Sequence, residues 1–348
     1  MIAEINFGVK ILTTNLSFFN PYEVNFAITY KCNSCCKTCS IWKIKPNNEL
    51  SLKEIEKFAE KNKFINWMRL TGGEPFLRKD YVDIVKVLNE NLPYLYFLST
   101  PTNSLLGDLV VKKVKEVLKF FKKGYTISVS LDGPKDVHDN IRGIKGNWNK
   151  AIDVYKKLKK LESEYKNFKV YFGYTISPYN VGMFEKTIEE VKKEIPSIIK
   201  KDFHVNLFQI SDVYYGNQNM KVDKDFFEKA KEEVDIALES RKKSLDKIDI
   251  VESKYLRNAK KYLETKQCPI DCNIFNLSCY IDPIGDVYPC TMFNFKLGNL
   301  REVDFDLKKI LTSEKARKSK EIIKKKKCPH CWTPCESHQM ILSNWLKA

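Results

Sequence analysis

No apolar run in this chain approaches the roughly 18 residues that a membrane-crossing helix needs. The first twenty residues are interrupted by Glu4, Asn6 and Lys10, where an export signal would need an unbroken apolar stretch. A soluble, cytoplasmic protein is therefore the expectation. Low-complexity tracts are absent as well, and 43% of the 348 residues are hydrophobic, which excludes a disordered chain and allows one large core or two modest ones. No Gly-x-Gly-x-x-Gly loop occurs, which weighs against a dinucleotide-binding fold. Arginine is scarce, at positions 69, 78, 142, 241, 257, 301 and 317 alone. Cysteine is missing altogether from 40 to 267.

The scarcity of arginine bears on the charge. Lys and Arg total 60 against 44 Asp and Glu, a formal net charge of +16. A basic chain can bind nucleic acid, but arginine is the better reader of phosphates and bases. Here lysine carries the excess and is interleaved with glutamate, as in 186–194 and 228–233, the pattern of solvated helix faces.

The eleven cysteines are the informative residues. Without an export signal, disulfides are disfavoured and metal or redox chemistry is the better expectation. Four cysteines fall at 32, 35, 36 and 39, and seven at 268, 272, 279, 290, 328, 331 and 335. Structural core cysteines would scatter, and these do not.

Between 22 and 210, short runs rich in Val, Ile, Phe, Tyr and Thr alternate with longer amphipathic segments. Strands are predicted at 24–29, 66–71, 94–99, 125–130, 169–176 and 204–208. Helices are predicted from a Ser51–Glu54 capping box and over 79–91, 104–123, 147–166 and 179–200. Six strand–helix units imply parallel strands with crossover helices. The expected fold is α/β: an incomplete parallel (β/α)6 barrel followed by a small cysteine-rich α+β domain. The expected divisions are an N-terminal extension (1–21), the barrel (22–215), a helical linker (216–265) and the cysteine-rich domain (266–348).

The first cysteine group directly follows the first strand, at the strand end where parallel barrels place their active sites. Three thiolates can hold an iron-sulfur cube while leaving one iron open to a ligand. A zinc knuckle would use similarly spaced thiolates. The arrangement Cys32-x3-Cys36-x2-Cys39 resembles the cluster-binding signature of the radical S-adenosylmethionine superfamily. Thr71-Gly72-Gly73-Glu74-Pro75 ends the second strand and is similar to the element of that family that meets the cofactor's amino group. Ser130, Asp132 and Gly133 end the fourth strand in the family's Ser-x-Asp-Gly pattern, with His138 and Arg142-Gly143 following. Asn180, after the fifth strand, resembles the residue that reaches the cofactor's ribose or carboxylate. Two departures stand out. The family's aromatic residue before the third cysteine is Thr38 here, with Trp42 three residues beyond that cysteine. Cys35 also permits the register Cys32-x2-Cys35-x3-Cys39.

The second group, Cys272-x12-Gly285-x4-Cys290 and then Cys328-x2-Cys331-x3-Cys335, resembles the auxiliary-cluster region called SPASM, or its shorter form, twitch. Seven cysteines cannot fully ligate two clusters. The resemblance therefore favours one auxiliary [4Fe-4S] cluster on Cys272, Cys290, Cys328 and Cys331, with Cys335 a close substitute. Structural zinc is the alternative, and Cys268 and Cys279 stay unassigned.

The resemblance implies an open-iron [4Fe-4S] cluster and S-adenosylmethionine. It further implies a low-potential electron donor such as ferredoxin or flavodoxin. The implied reaction is reductive cleavage of the cofactor to a 5′-deoxyadenosyl radical that takes hydrogen from a peptide or protein. No catalytic side chain is assigned. A small metabolite or lipid substrate is the alternative within the family, and a non-catalytic RNA-binding protein the alternative outside it. If the +16 charge is surface composition, titration with mixed cellular RNA should show binding that vanishes near physiological salt. Tight binding persisting there would support the RNA reading.

Overall fold

The computed structural model describes residues 21–242 and 244–345, together with Asn6 and Gly8. The expected N-terminal extension thus lies almost wholly outside the described residues.

Six parallel strands form the core: β1 (Glu23–Thr29), β2 (Trp67–Gly72), β3 (Phe97–Thr102), β4 (Gly124–Ser130), β5 (Phe168–Ile176) and β6 (Phe203–Leu207). They pair in sequence order, with helices in the connections: α1 (Leu52–Lys61), α2 (Tyr81–Asn91), α3 (Asp108–Phe120), α4 (Lys135–Arg142), α5 (Asn147–Glu164) and α6 (Phe184–Glu194). The Ser51–Glu54 capping box opens α1 as predicted. Helix α4, short and polar, escaped the periodicity reading.

The third strand lies three residues later than predicted. The apolar run 94–98 suggested its start. In the fold, Leu95 closes a turn onto Leu92, and β3 runs through Ser99, Thr100 and Pro101 to Thr102. This shift carries Thr102 and Asn103 to the strand end where the cysteine loop sits.

β6 does not pair with β1, so the barrel is incomplete as expected. Helices α7 (Lys224–Glu239) and α8 (Lys247–Thr265) follow β6 and pack on each other. The C-terminal part is not a detached layer. Strand β7 (Ser278–Ile281) pairs parallel with β1, and β8 (Asp286–Tyr288) and β9 (Gly298–Asn299) extend the same sheet antiparallel, making nine strands. Helices α9 (Leu307–Leu311), α10 (Glu314–Lys324) and α11 (Pro334–Ser343) complete the chain, and α11 packs on α8.

Side chains alternate along each strand. Met68, Leu70, Leu98, Ile127, Val129, Val170 and Phe172 are fully buried in the hydrophobic core. The intervening Arg69, Ser99, Thr126, Ser128 and His204 line an interior cavity. The barrel lumen is therefore hollow and carries polar groups among aromatic ones, and the branched apolar layers that pack a closed barrel do not fill it.

Asn62 ties the first helix to the C-terminal region. Fully buried, it donates to the Phe58 and Phe305 carbonyls at 2.7 Å each and accepts from the Leu307 N–H at 3.0 Å. Asn62→Ala would strand those groups away from water. It should destabilise the protein by about 2–3 kcal/mol, read as a lower urea midpoint.

Candidate functional site

From Cys32 to Ser40 the chain has no regular structure, so its backbone N–H groups need acceptors from elsewhere. Helix α4 supplies two. The N–H of Cys35 donates to the Arg142 carbonyl at 3.0 Å and that of Lys37 to the Ile141 carbonyl at 2.8 Å. These are carbonyls that a helix end leaves without intrahelical partners. Gly143 ends the helix in the left-handed region, at φ 69°, and a Cβ there would crowd the Cys35 carbonyl at 2.8 Å. On the other side, Gly73 N donates to Thr29 O at 2.8 Å and Glu74 N to Lys31 O at 2.7 Å. A side chain on Gly73 would collide with the Lys31 carbonyl, so this approach requires glycine. The segment after β6 holds the far end of the loop. Ser40 N donates to Tyr215 O at 2.7 Å, and Asn217 Nδ2 to Thr38 O at 3.0 Å.

Cys32, Cys36 and Cys39 line a cavity of about 710 Å³ that occupies the barrel lumen. Cys35 is exposed and does not line it. Polar groups face the sulfurs: Ser34 Oγ lies 3.1 Å and Arg142 Nη1 3.7 Å from Cys36 Sγ, and Asn103 Nδ2 lies 3.8 Å from Cys32 Sγ. Burial pushes the Cys32 thiol up to about 11 and the Cys39 thiol up to about 12. Without metal these thiols would stay protonated, and a bound cation is what makes the buried thiolates favourable.

Arg142 links this loop to β4. Its Nε and Nη2 donate to Asp132 Oδ2 at 2.7 and 2.6 Å. Burial opposes its charge, but Asp132 and Cys36 outweigh burial and raise its pKa. Asp132 Oδ1 accepts from Thr175 N at 3.2 Å, and the Asp132 N–H donates to His138 Nδ1 at 3.0 Å. His138 is fully buried, and burial, reinforced by Arg142, holds its pKa well below the ordinary value. It is thus a neutral ring that orients Asp132 and does not line the cavity.

Gly72, Gly73, Glu74, Ser130, Asp132 and Arg142 all line the cavity. Burial raises Glu74 to about 7 even though it accepts from Asn103 N at 2.7 Å and Thr102 Oγ1 at 3.1 Å. Asn180 is placed differently. Its Nδ2 donates to the Asp132 and Thr175 carbonyls, and its Oδ1 accepts from Ser177 N and Oγ. Its amide is consumed in shaping the loop after β5, and it does not line the cavity. Trp42 does line it, with its indole N–H donating to Cys39 O at 3.0 Å. Thr102, Asn103 and Tyr214 are site residues that motif reading missed. Only the polar alternation within the strands signalled a hollow lumen.

In the C-terminal region, Cys268, Cys272, Cys290, Cys328 and Cys331 are mutual electrostatic neighbours, and burial raises the pKa of each. Cys268, unassigned from sequence, belongs to this group. Cys335 does not. Thr333 caps α11 and Pro334 opens it, and Cys335 lies on the barrel cavity with Arg69, Glu336 and Glu23 as its charged neighbours. Cys335, expected as a close substitute within the auxiliary set, thus lines the barrel cavity. Cys279 is a core residue of β7.

The sequence model of the Radical SAM superfamily matches residues 26–191, and that of the SPASM iron-sulfur cluster-binding domain matches residues 268–335. The chain carries a radical SAM domain followed by a SPASM domain. Its two domains imply [4Fe-4S] clusters and S-adenosylmethionine. This radical SAM chain is 24% identical over 295 residues to the sporulation killing factor maturation protein SkfB of Bacillus subtilis, covering 83% of this chain and 64% of SkfB. It is 28% identical over 228 residues to Fe-coproporphyrin III synthase of Methanosarcina barkeri, covering 63% of this chain and 51% of the synthase. The chain thus spans from half to just under two thirds of these curated relatives. Its fold is similar to that of Streptococcus suis SuiB bound to the precursor peptide SuiA, with a TM-score of 0.58 and 19% identity over 88% of this chain and 68% of SuiB.

The residues present fit the cofactors of a radical SAM protein. Three cavity-lining thiols with polar groups at two of the sulfurs suit a cluster with one iron left open. The collision a side chain would cause at Gly73 keeps the adjoining cradle clear. Glu74 predicts a pH dependence. Its pKa is raised on folding, so its stabilising contribution is complete below about pH 4.5 and is lost as pH rises through about 7. Glu23, raised by burial to about 8, acts with the same sign. In cluster-free protein, Glu74→Gln should flatten, without abolishing, the fall in melting temperature from pH 4.5 to 7.

Proposed function

We propose that this protein is a radical SAM enzyme that takes hydrogen from a peptide or protein substrate. The reading rests on one observation: Cys32, Cys36 and Cys39 share a single hollow lumen with Glu74, Asp132 and Arg142. Cys32, Cys36 and Cys39 would hold the cluster and leave one iron without a protein ligand. When bound, the cluster and S-adenosylmethionine supply one-electron cleavage of a carbon–sulfur bond and a hydrogen-abstracting radical. Gly72 and Gly73 let the backbone approach the cofactor closely, and Glu74 offers a carboxylate to its amino group. Asp132 fixes Arg142 against Cys36, which keeps a positive charge beside the cluster. The hollow lumen admits the substrate, while the outer helices keep the reacting centre apart from bulk water.

Cys268, Cys272, Cys290, Cys328 and Cys331 would carry one auxiliary [4Fe-4S] cluster with one sulfur to spare. Electrons would come from a low-potential donor such as ferredoxin or flavodoxin. The peptide assignment is supported by the likeness to SkfB and to SuiB with its precursor peptide. The likeness to Fe-coproporphyrin III synthase supports a second reading, a small-molecule substrate enclosed by the same lumen.

Anaerobically reconstituted Cys36→Ala protein should lose about half of roughly eight irons and all 5′-deoxyadenosine formation under dithionite, whereas Cys35→Ala keeps both. Iron analysis and product chromatography decide it. A dead Cys35→Ala beside an active Cys36→Ala would place the cluster on the other register.

A further inference from the structure

The lumen wall has a second charged cluster, separate from the cysteine loop. Three elements that are distant in sequence bring it together: His204 on β6, Glu252 on α8 and His338 on α11. All three side chains line the cavity. Glu252 is 3% exposed. His338 Nε2 lies 3.1 Å and His204 Nδ1 3.4 Å from its Oε1, and no other side chain or backbone group reaches the carboxylate among the described residues. A carboxylate can accept about four hydrogen bonds, so at least half of its capacity is unused. Glu252 lines the cavity, so that capacity is available to a bound group.

The nearby arginines do not contact it. Arg241, two residues past α7, donates from its Nη atoms to the Ala237, Lys201 and Phe203 carbonyls, with Asp249 3.5 Å from its Nε. Arg69 on β2 pairs with Glu23. Lys247, on the same wall, is exposed and makes no contact with Glu252. Neither imidazole is a permanent cation. Burial pushes His204 down to about 4 against the pull of Glu252. Burial would raise Glu252, but the two imidazoles and Arg241 outweigh it and hold the carboxyl down to about 2. So acidic a group is a poor proton acceptor at neutral pH, and general-base chemistry is the weaker reading. What it can do is hold a cation.

Its position suits a substrate. In register, Ser130 on β4 pairs with Gly173 on β5, which pairs with His204 on β6. Two strand spacings separate Ser130 from His204, about 10 Å. Gly173, between them, puts no side chain into the lumen.

We propose that Glu252, flanked by His204 and His338, binds an ammonium group of the substrate and so orients the substrate carbon towards the cofactor side of the lumen. This rests on the radical-enzyme reading and names the group that its substrate presents. A lysine side chain and a peptide amino terminus offer the same chemistry.

Reconstituted holoenzyme, with no reductant present, would be titrated with Nα-acetyl-lysinamide, glycinamide and the neutral control Nα,Nε-diacetyl-lysinamide. Binding would be followed calorimetrically and by the imidazole NMR signals of the four histidines, His138, His204, His330 and His338. The amines should bind, shift His204 and His338 and leave His138 and His330 unmoved. Glu252→Gln should weaken binding by about tenfold or more. Tighter binding of acetyl-lysinamide would assign the side chain as the source, and tighter binding of glycinamide the amino terminus. Equal binding of the neutral control, or amine binding that shifts neither His204 nor His338, would overturn the proposal. The wild-type shifts decide the matter even if Glu252→Gln does not fold. Because no turnover is read, failure here leaves S-adenosylmethionine cleavage untouched, and failure of cleavage leaves this result standing.

Discussion

The site depends on a loop that cannot satisfy its own backbone. Residues 32–40 carry the cysteines but form neither helix nor strand, and buried N–H groups without acceptors are costly. Helix α4 resolves this by ending where its last carbonyls face Cys35 and Lys37. The same helix then sends Arg142 between Asp132 and Cys36. One short helix thereby fixes the loop's backbone, places a cation beside a thiolate and anchors both to the end of β4. The Gly72–Gly73 turn and the segment 209–217 close the remaining sides.

A second constraint is the lumen. Alternation along the strands turns apolar side chains outwards to the helices and sends polar ones, with Trp67, Phe97 and Tyr171, into the lumen. Since β6 and β1 do not pair, the barrel does not tighten onto a packed centre. Helices α8 and α11, which pack together, bring Glu252, Cys335 and His338 to the cavity wall. The C-terminal region therefore does two things. Its hairpin strands extend the sheet beyond β1, and α11 finishes the wall of the cavity.

Much of this was legible from the chain. The cysteine grouping, the capping box at Ser51, five of the six barrel strands and the order of the motifs after successive strands all follow from local chemistry and spacing. The third strand was misplaced because Pro101 and its polar neighbours hide a strand whose inward face is not apolar. Helix α4 was invisible because its eight residues are mostly polar and its stabilising partner, the cysteine loop, lies about a hundred positions away. His138 and Asn180 were legible as motif members, but their work is to shape the turns around Asp132, and spacing cannot distinguish a residue that touches a ligand from one that holds its neighbour.

The sequence by itself determined the family resemblance, the two groups of cysteines and the parallel α/β architecture, because these rest on residue type, spacing and periodicity. Which cysteines share a site was decided only by the tertiary structure. Cys331 and Cys335 stand four residues apart, yet a helix capped by Thr333 and opened by Pro334 begins between them, and of the two only Cys335 lines the barrel cavity. Likewise, nothing in the chain links His204, Glu252 and His338. Their meeting depends on how α8 and α11 pack across the gap left by the open barrel, which is a property of packing geometry and not of local sequence.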